Sequence, residues 1–315
     1  MTALTISNED IKSLVGKVVV LTGKYPLPAI GPASADAVKA VRSVDPWKTQ
    51  GSAVSRRLHS LPCADRRPEQ SGIGLATTEL LLELGATVVS GDVNPPPVEH
   101  SQLSYVKTNV TQWSDLVALF DRAKQRYGRI DHAFANAGIS GRADYLADKF
   151  DDAGSLLEPN HQTFDVNIKA VVNTAYLGLH HMRHQVPAGG SIVLTASGSS
   201  FQRFRVADYT SAKHAVLGLQ RGIVPNLEKS GLPLRMNSVA PSWTVTGLVP
   251  KGLVEAAGHG TQTPDVVARS VALLMADASR QGQVIESDGV DDIVEKMMEV
   301  AQRQPKQGKG TFTSS

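Results

Sequence analysis

Short, wholly apolar runs alternate along this chain with stretches of helical period, and few folds accept that alternation. Gly16-Lys17-Val18-Val19-Val20-Leu21-Thr22-Gly23 reads as a strand buried on both faces of a parallel sheet. Leu75 to Leu84 is an amphipathic helix stopped by Gly85, and Ala86 to Asp92 is a second strand ending in an acid. Tyr105-Val106 makes a short strand, Ser114 is placed to N-cap a helix reaching Tyr127-Gly128, and Ile130 to Ala135 is a strand. A polar segment over 140–160 leads to a helix from His161 to His184, then a strand Ser191 to Thr195. The helix from Ala207 to Lys229 is expected to kink at Pro225, and the strand Leu234 to Val239 closes at Ala240-Pro241. Residues 242–262 read as a loop over a site, Thr263-Pro264-Asp265 opens a helix to Asp277, and Gln283-Val284-Ile285 is a last strand. The expected class is α/β, with one doubly wound parallel sheet and helices on both faces.

One stretch breaks the pattern. After Gly23 the chain enters a Pro-rich segment with Pro26, Pro28, Pro32, Pro46, Pro62 and Pro68 and no sustained period, and order resumes only at Ser71-Gly72-Ile73-Gly74. Residues 24–70 hold eight Lys/Arg against four acids, so the formal net charge of +2 belongs to this segment and gives no reason to expect nucleic-acid binding.

No run of about 18 apolar residues supports a membrane span, and the polar start of the chain (Met1 to Lys12) supports no secretory signal. The lone Cys63 rules out an internal disulfide and a multi-cysteine metal site, as expected for a soluble protein of the cytoplasm. No metal is expected. His180 and His184 have i,i+4 spacing but no third ligand accompanies them, and Asp151, Asp152 and Glu158 read as solvated acids.

With residues 24–68 removed, Thr22-Gly23 joins Glu69-Gln70-Ser71-Gly72-Ile73-Gly74. This gives a glycine turn between a strand and a helix, where backbone amides can approach a pyrophosphate on the helix N-terminus. Asp92, at the end of the second strand, is placed to bind the ribose hydroxyls of NAD and to repel the 2′-phosphate of NADP. Tyr209 and Lys213 lie at i,i+4 on one helix face, where an ammonium can stabilise a phenolate and lower its pKa. Ser197 lies twelve residues before Tyr209.

These motifs, in this order over residues 15–290, resemble the short-chain dehydrogenase/reductase family, including fungal members of secondary metabolism. They are Thr22-Gly23 with Gly72-Ile73-Gly74, Asp92, Asn136-Ala137-Gly138, Asn167, Ser197, Tyr209 with Lys213, and Pro241 with Thr246. The resemblance implies a Rossmann-type domain over 1–302, a tail over 303–315 expected to be disordered, and a dimer or tetramer. It implies that Tyr209 exchanges a proton with the substrate oxygen, tuned by Lys213 and the positive nicotinamide. It implies that Lys213 binds the nicotinamide ribose, that Ser197 donates to the substrate oxygen, and that Asn167 positions a water chain to Lys213. The cofactor contacts it implies are Thr22, Gly23, Ser71, Gly72, Ile73, Gly74, Asp92, Asn109, Val110, Asn136, Ala137, Gly138, Tyr209, Lys213, Pro241 and Thr246.

The expected reaction moves a hydride between NAD(H) and a secondary alcohol or ketone of a hydrophobic small molecule. Asp144–Pro159 and the loop bearing Trp243, Leu248, Val249 and Leu253 would cover the substrate; Arg203 and Arg205 fall where the family lines its substrate pocket but read as exposed arginines. Three departures stand out. Asn109 replaces a customary acid near adenine, and Ser242 a frequent glycine. The third is the segment over 24–68, whose added closure entropy of about 2.5 kcal/mol a fold can absorb. That segment reads as foreign to the fold, from a retained intron or an untranslated stretch, with a genuine regulatory or disordered insertion as the alternative. Two other functions stay open: a form impaired by its broken cofactor turn, and an NAD-binding scaffold.

Overall fold

The computed structural model describes residues 6–23, 72–249 and 260–286. The segment 24–70, Ser71, Leu253, the expected helix from Asp291 to Arg303 and the tail lie outside the described residues.

The strands are β1 (Val18–Thr22), β2 (Thr87–Asp92), β3 (Leu103–Lys107), β4 (His132–Ala135), β5 (Gly190–Thr195), β6 (Leu234–Ala240) and β7 (Val284–Glu286). They form one parallel sheet in the order β3-β2-β1-β4-β5-β6-β7. The unbroken apolar runs have a direct cause in this arrangement, since successive side chains of a strand enter opposite layers. Val19 and Leu21 join a core with Leu81, Val88, Phe134, Val193 and Val267 on one face. Val20 joins Val89, Leu116, Phe120, Ile192 and Met236 on the other.

The helices that cover these faces are α1 (Asn8–Ile11), α2 (Ile73–Glu83), α3 (Trp113–Tyr127), α4 (Gln162–Phe164), α5 (Ala170–His184), α6 (Ala207–Ser230) and α7 (Pro264–Ala276). Two differ from the sequence reading. Ser114 is not the N-cap of α3; that place falls to Gln112. The acid of the first turn, Asp115, reaches back instead to accept from the Asn109 main-chain N–H at 2.9 Å. The single helix expected from His161 to His184 is broken by a π-helical turn over Asp165–Lys169. The turn carries the fully buried Asn167, whose amide is bonded outside its own helix. The helix expected from Ala207 to Lys229 is α6, which runs through Pro225 and ends at Gly231, with a φ of +64°. Among the described residues no helix is long and apolar enough to cross a membrane.

The loop expected over 242–262 is tied at its root. Gln262 donates its main-chain N–H to the Trp243 carbonyl (2.9 Å) and accepts from Val245 N–H (3.0 Å). Its side-chain amide also reaches Thr244 Oγ1 at 3.1 Å.

Candidate active site

The order of strands reverses between β1 and β4, where chains leaving the sheet in opposite directions open a crevice at the carboxyl ends of the strands. Gly23 follows β1 at this edge, Asn136 follows β4, Ser197 follows β5 and Pro241 follows β6.

Gly23 sits at φ +67°, and a Cβ there would lie 2.7 Å from Ala137 Cβ and 2.8 Å from Ala137 N. Only glycine lets the turn after β1 lie on Asn136-Ala137-Gly138. The Asn136 amide donates to the Gly23 carbonyl, and its oxygen accepts from Thr195 Oγ1 at 3.4 Å. Across the gap, Gly72 caps α2 in an extended conformation with no side-chain cap, so the first-turn amides of Ile73 and Gly74 have no capping side chain. Asp92 is buried at the end of β2 and accepts from Asn94 N–H at 2.9 Å. These features fit a dinucleotide: a cradle that a Cβ would fill, an uncapped helix start and a carboxylate at the next strand end.

The other expected cofactor contacts have local partners. Asn109 Oδ1 accepts from Thr111 N–H (3.1 Å) and Thr111 Oγ1 (2.8 Å), which spends the side chain on its own turn. Val110 packs on the core. The Pro241 carbonyl accepts from Gly198 N–H at 3.0 Å. Thr246 Oγ1 accepts from Leu248 N–H (3.2 Å) and Val249 N–H (3.3 Å), shaping a tight turn.

Ser197, Tyr209 and Lys213 are brought together. Ser197 Oγ accepts from Ser199 N–H at 3.2 Å and shares a side-chain hydrogen bond with the Tyr209 hydroxyl. Lys213 Nζ donates to the Thr195 carbonyl at 2.7 Å and lies 5.7 Å from the centre of the Tyr209 ring. The expected lowering of the phenol by Lys213 is not what this arrangement produces. Burial pushes Tyr209 above its ordinary value, and the hydrogen bond with Ser197 is the counterweight. The ammonium donates to the Thr195 carbonyl while lying 5.7 Å from the ring centre.

Asn167 is held in place by Ile139: its amide donates to the Ile139 carbonyl and its oxygen accepts from Ile139 N–H, both at 2.8 Å. Both ends of the side chain are thus bonded to Ile139.

Burial lowers Lys213 from 10.5 to about 8. Its charged form is therefore disfavoured by folding, fully below pH 8 and progressively less as pH rises toward 10.5. Replacing Lys213 with Met removes a cost of about 3 kcal/mol at pH 7, offset by about 1–2 kcal/mol for the orphaned Thr195 carbonyl. The expected outcome is a higher melting temperature at pH 7, shrinking toward pH 10.5, together with loss of activity. Thermal melts across that range check it.

Residues that sequence reading did not single out complete the site. Asp208, beside Tyr209, is fully buried, although an acid in the first turn of a helix reads as solvated. Phe204 pairs at 5.7 Å between ring centres with Trp243, a residue expected to cover the substrate, joining the segment before α6 to the loop after β6; only its aromatic character could have drawn notice to Phe204. His184 Nδ1 lies 2.8 Å from the His180 carbonyl, and no group of three or more His, Cys, Asp or Glu among the described residues could hold a metal.

Residues 69–253 match the family model described as short chain dehydrogenase. The chain is 50% identical over 219 residues to the short-chain dehydrogenase/reductase ascJ of Acremonium egyptiacum, covering 68% of this chain and 74% of that one. It is 30% identical over 301 residues to prx4 of Penicillium roqueforti, covering 94% and 75%. Among solved structures, ligand-free aldohexose dehydrogenase from Thermoplasma acidophilum superposes with a TM-score of 0.62 at 19% identity, covering 95% of this chain and all of that one. An NADH-dependent reductase complexed with NAD superposes at 0.58 and 17% identity, covering 88% and 96%, and both likenesses concern the fold. With its matched span, its relatives and its parallel sheet, the chain belongs to the short-chain dehydrogenase family of nicotinamide-dependent oxidoreductases.

Proposed function

We propose that this chain interconverts a secondary alcohol and a ketone on a hydrophobic small molecule, with NAD(H) in preference to NADP(H). The observation that carries the reading is the hydrogen-bonded pair of Ser197 and Tyr209 with Lys213 behind it, at the mouth of the crevice. The nucleotide would be held by Gly23, Gly72 to Gly74, Asp92 and Asn136 to Gly138, and when bound it supplies or takes the hydride and, oxidised, brings a positive ring. Tyr209 gives its proton to the substrate oxygen in reduction and takes it in oxidation. Ser197 holds that oxygen as charge develops on it, for about 3 kcal/mol of transition-state stabilisation. Lys213 binds the nicotinamide ribose and, through the main chain at Asn167, keeps the proton path open.

The substrate is covered by the root of the 140–160 segment and by Trp243, Leu248 and Val249. Relatives that carry the short-chain dehydrogenase/reductase name in fungi fit a place in secondary metabolism. Exposed Trp113, Val172 and Tyr176 on the outer side of α3 and α5 support an oligomer, on which sedimentation equilibrium bears directly.

Nucleotide binding tests the reading. We expect the version lacking 24–68 to bind NAD, and to bind NADP about 100-fold more weakly because Asp92 opposes the added phosphate. Replacing Asp92 with Ser closes most of that gap. The family match that begins at residue 69 fits a segment foreign to the turn, so the full chain is expected to bind NAD more weakly than the shortened one. Equal binding by calorimetry would make the segment a tolerated insertion. Failure of both forms to bind either nucleotide would end the oxidoreductase reading.

A further inference from the structure

Asp208 stands next to the acid–base tyrosine and carries a buried charge that the proposed chemistry does not use. Burial alone would raise its carboxyl, yet hydrogen bonds hold it below the ordinary 3.8. Its Oδ2 accepts from the main-chain N–H groups of Arg142 (2.7 Å) and Ala143 (3.1 Å), and its Oδ1 from that of Tyr209 (2.8 Å). The Thr163 hydroxyl adds a side-chain bond and also lies 3.5 Å from the Ser140 carbonyl. A Cβ at Gly141 would run into Val206 Cγ1 and would also fall 2.5 Å from Asp208 Oδ1, so the turn at 140–143 is seated on both Val206 and this carboxylate.

Two clamps therefore grip consecutive parts of one strand-end segment. Asn167 holds Ile139 at both its amide and its carbonyl, and Asp208 holds Arg142 and Ala143 three residues on. Beyond them begins the segment that covers the substrate. The same carboxylate is bonded to the amide of Tyr209 at the start of α6. Nothing else among these bonds joins the substrate-side turn to the residue bearing the reacting hydroxyl.

We propose that Asp208 is a positioning residue: it locks the 140–143 turn to the first turn of α6, so that the substrate-side segment and the Tyr209 hydroxyl are held in one frame. This rests on the reading of Tyr209 as the proton-exchanging group. An ionised carboxylate suits the task because both oxygens accept, and four donors converge on them. Asparagine would turn an NH₂ toward one set of donors and keep only part of the grip. Alanine would keep none.

The experiment compares the wild-type full chain with Asp208→Asn and Asp208→Ala. Hydrogen exchange is followed by mass spectrometry, NADH affinity by fluorescence, and kcat and KM by NADH-driven reduction of acetophenone and cyclohexanone. The expected result is faster exchange confined to peptides over 139–146 and 207–211. It comes with an NADH Kd within about twofold of wild type and a fall in kcat/KM for the ketone of about 100-fold in Asp208→Ala. Asp208→Asn falls between. Exchange that rises across β5 and the far end of α6 as well, with nucleotide and ketone parameters lost together, would reduce Asp208 to a fold-stabilising group and overturn the proposal. So would unchanged exchange at 139–146. If the wild-type chain reduces neither ketone, the kinetic arm bears on the oxidoreductase reading, and local against global exchange alone decides the latch.

Discussion

Replacing Tyr209 with Phe is expected to lower kcat for NADH-driven ketone reduction by about 10³-fold while leaving NADH affinity within about twofold of wild type. Phenylalanine keeps the ring, its packing and its place 5.7 Å from Lys213 Nζ, and removes only the hydroxyl and its bond with Ser197. The effect therefore isolates the proton. Burial already holds the phenol above its ordinary value, so in reduction it is a proton donor throughout the neutral range. Steady-state kinetics beside calorimetric NADH binding make the measurement. A variant that keeps a tenth of its activity would move the proton transfer to another group or to water, and Ser197 would be the next residue to replace.

Gly23→Ala is expected to cost more in the fold than any other single methyl in this site. The left-handed backbone at φ +67° adds about 1–2 kcal/mol for an L side chain, and the new Cβ would fall on the main chain of Ala137. Backbone cannot swing aside as a long side chain can, so the total destabilisation is expected to exceed about 4 kcal/mol. Denaturant unfolding measures it. A milder effect would still push β1 and the Asn136 segment apart and loosen the bond from the Asn136 amide to the Gly23 carbonyl, so nucleotide affinity should fall in proportion. A stable variant with unchanged affinity would show that the turn after β1 does not cradle the cofactor.

The sheet was readable in the sequence because the strands are apolar on both faces and helices with capping glycines separate them; Gly85, Gly128 and Gly231 all end helices with φ of +64° to +77°. What could not be read is whatever depends on a partner far along the chain. Nothing local to Asn167 tells of Ile139, 28 residues earlier, or that binding it goes with a π-helical turn. Ser114 has the right chemistry for an N-cap, but where α3 begins depends on Asp115 reaching back to Asn109. Asp208 looks like any first-turn acid until the amides of Arg142 and Ala143 arrive from 66 and 65 residues away. The i,i+4 spacing of Tyr209 and Lys213 was legible, whereas the direction of the ammonium depends on the Thr195 carbonyl at the end of another strand.

The grip on β1 has one more consequence. Residues 6–23 place Ile11, Leu14 and Val18 to Leu21 in the core and β1 in the middle of the sheet, between β2 and β4. Beyond its ladders with β2 and β4, this piece is tied to later residues by bonds that include the Gly85 and Gly91 carbonyls, Asp131, the Asn136 amide, and Arg269 to Ile6 and Asn8. A polypeptide cut anywhere between 24 and 71 therefore leaves a short piece whose docking is wholly noncovalent and whose slot lies between β2 and β4. Such a pair is expected to behave as a split protein, in which the small fragment, supplied separately, restores the crevice edge at Gly23 and nucleotide binding reads out two chains finding each other.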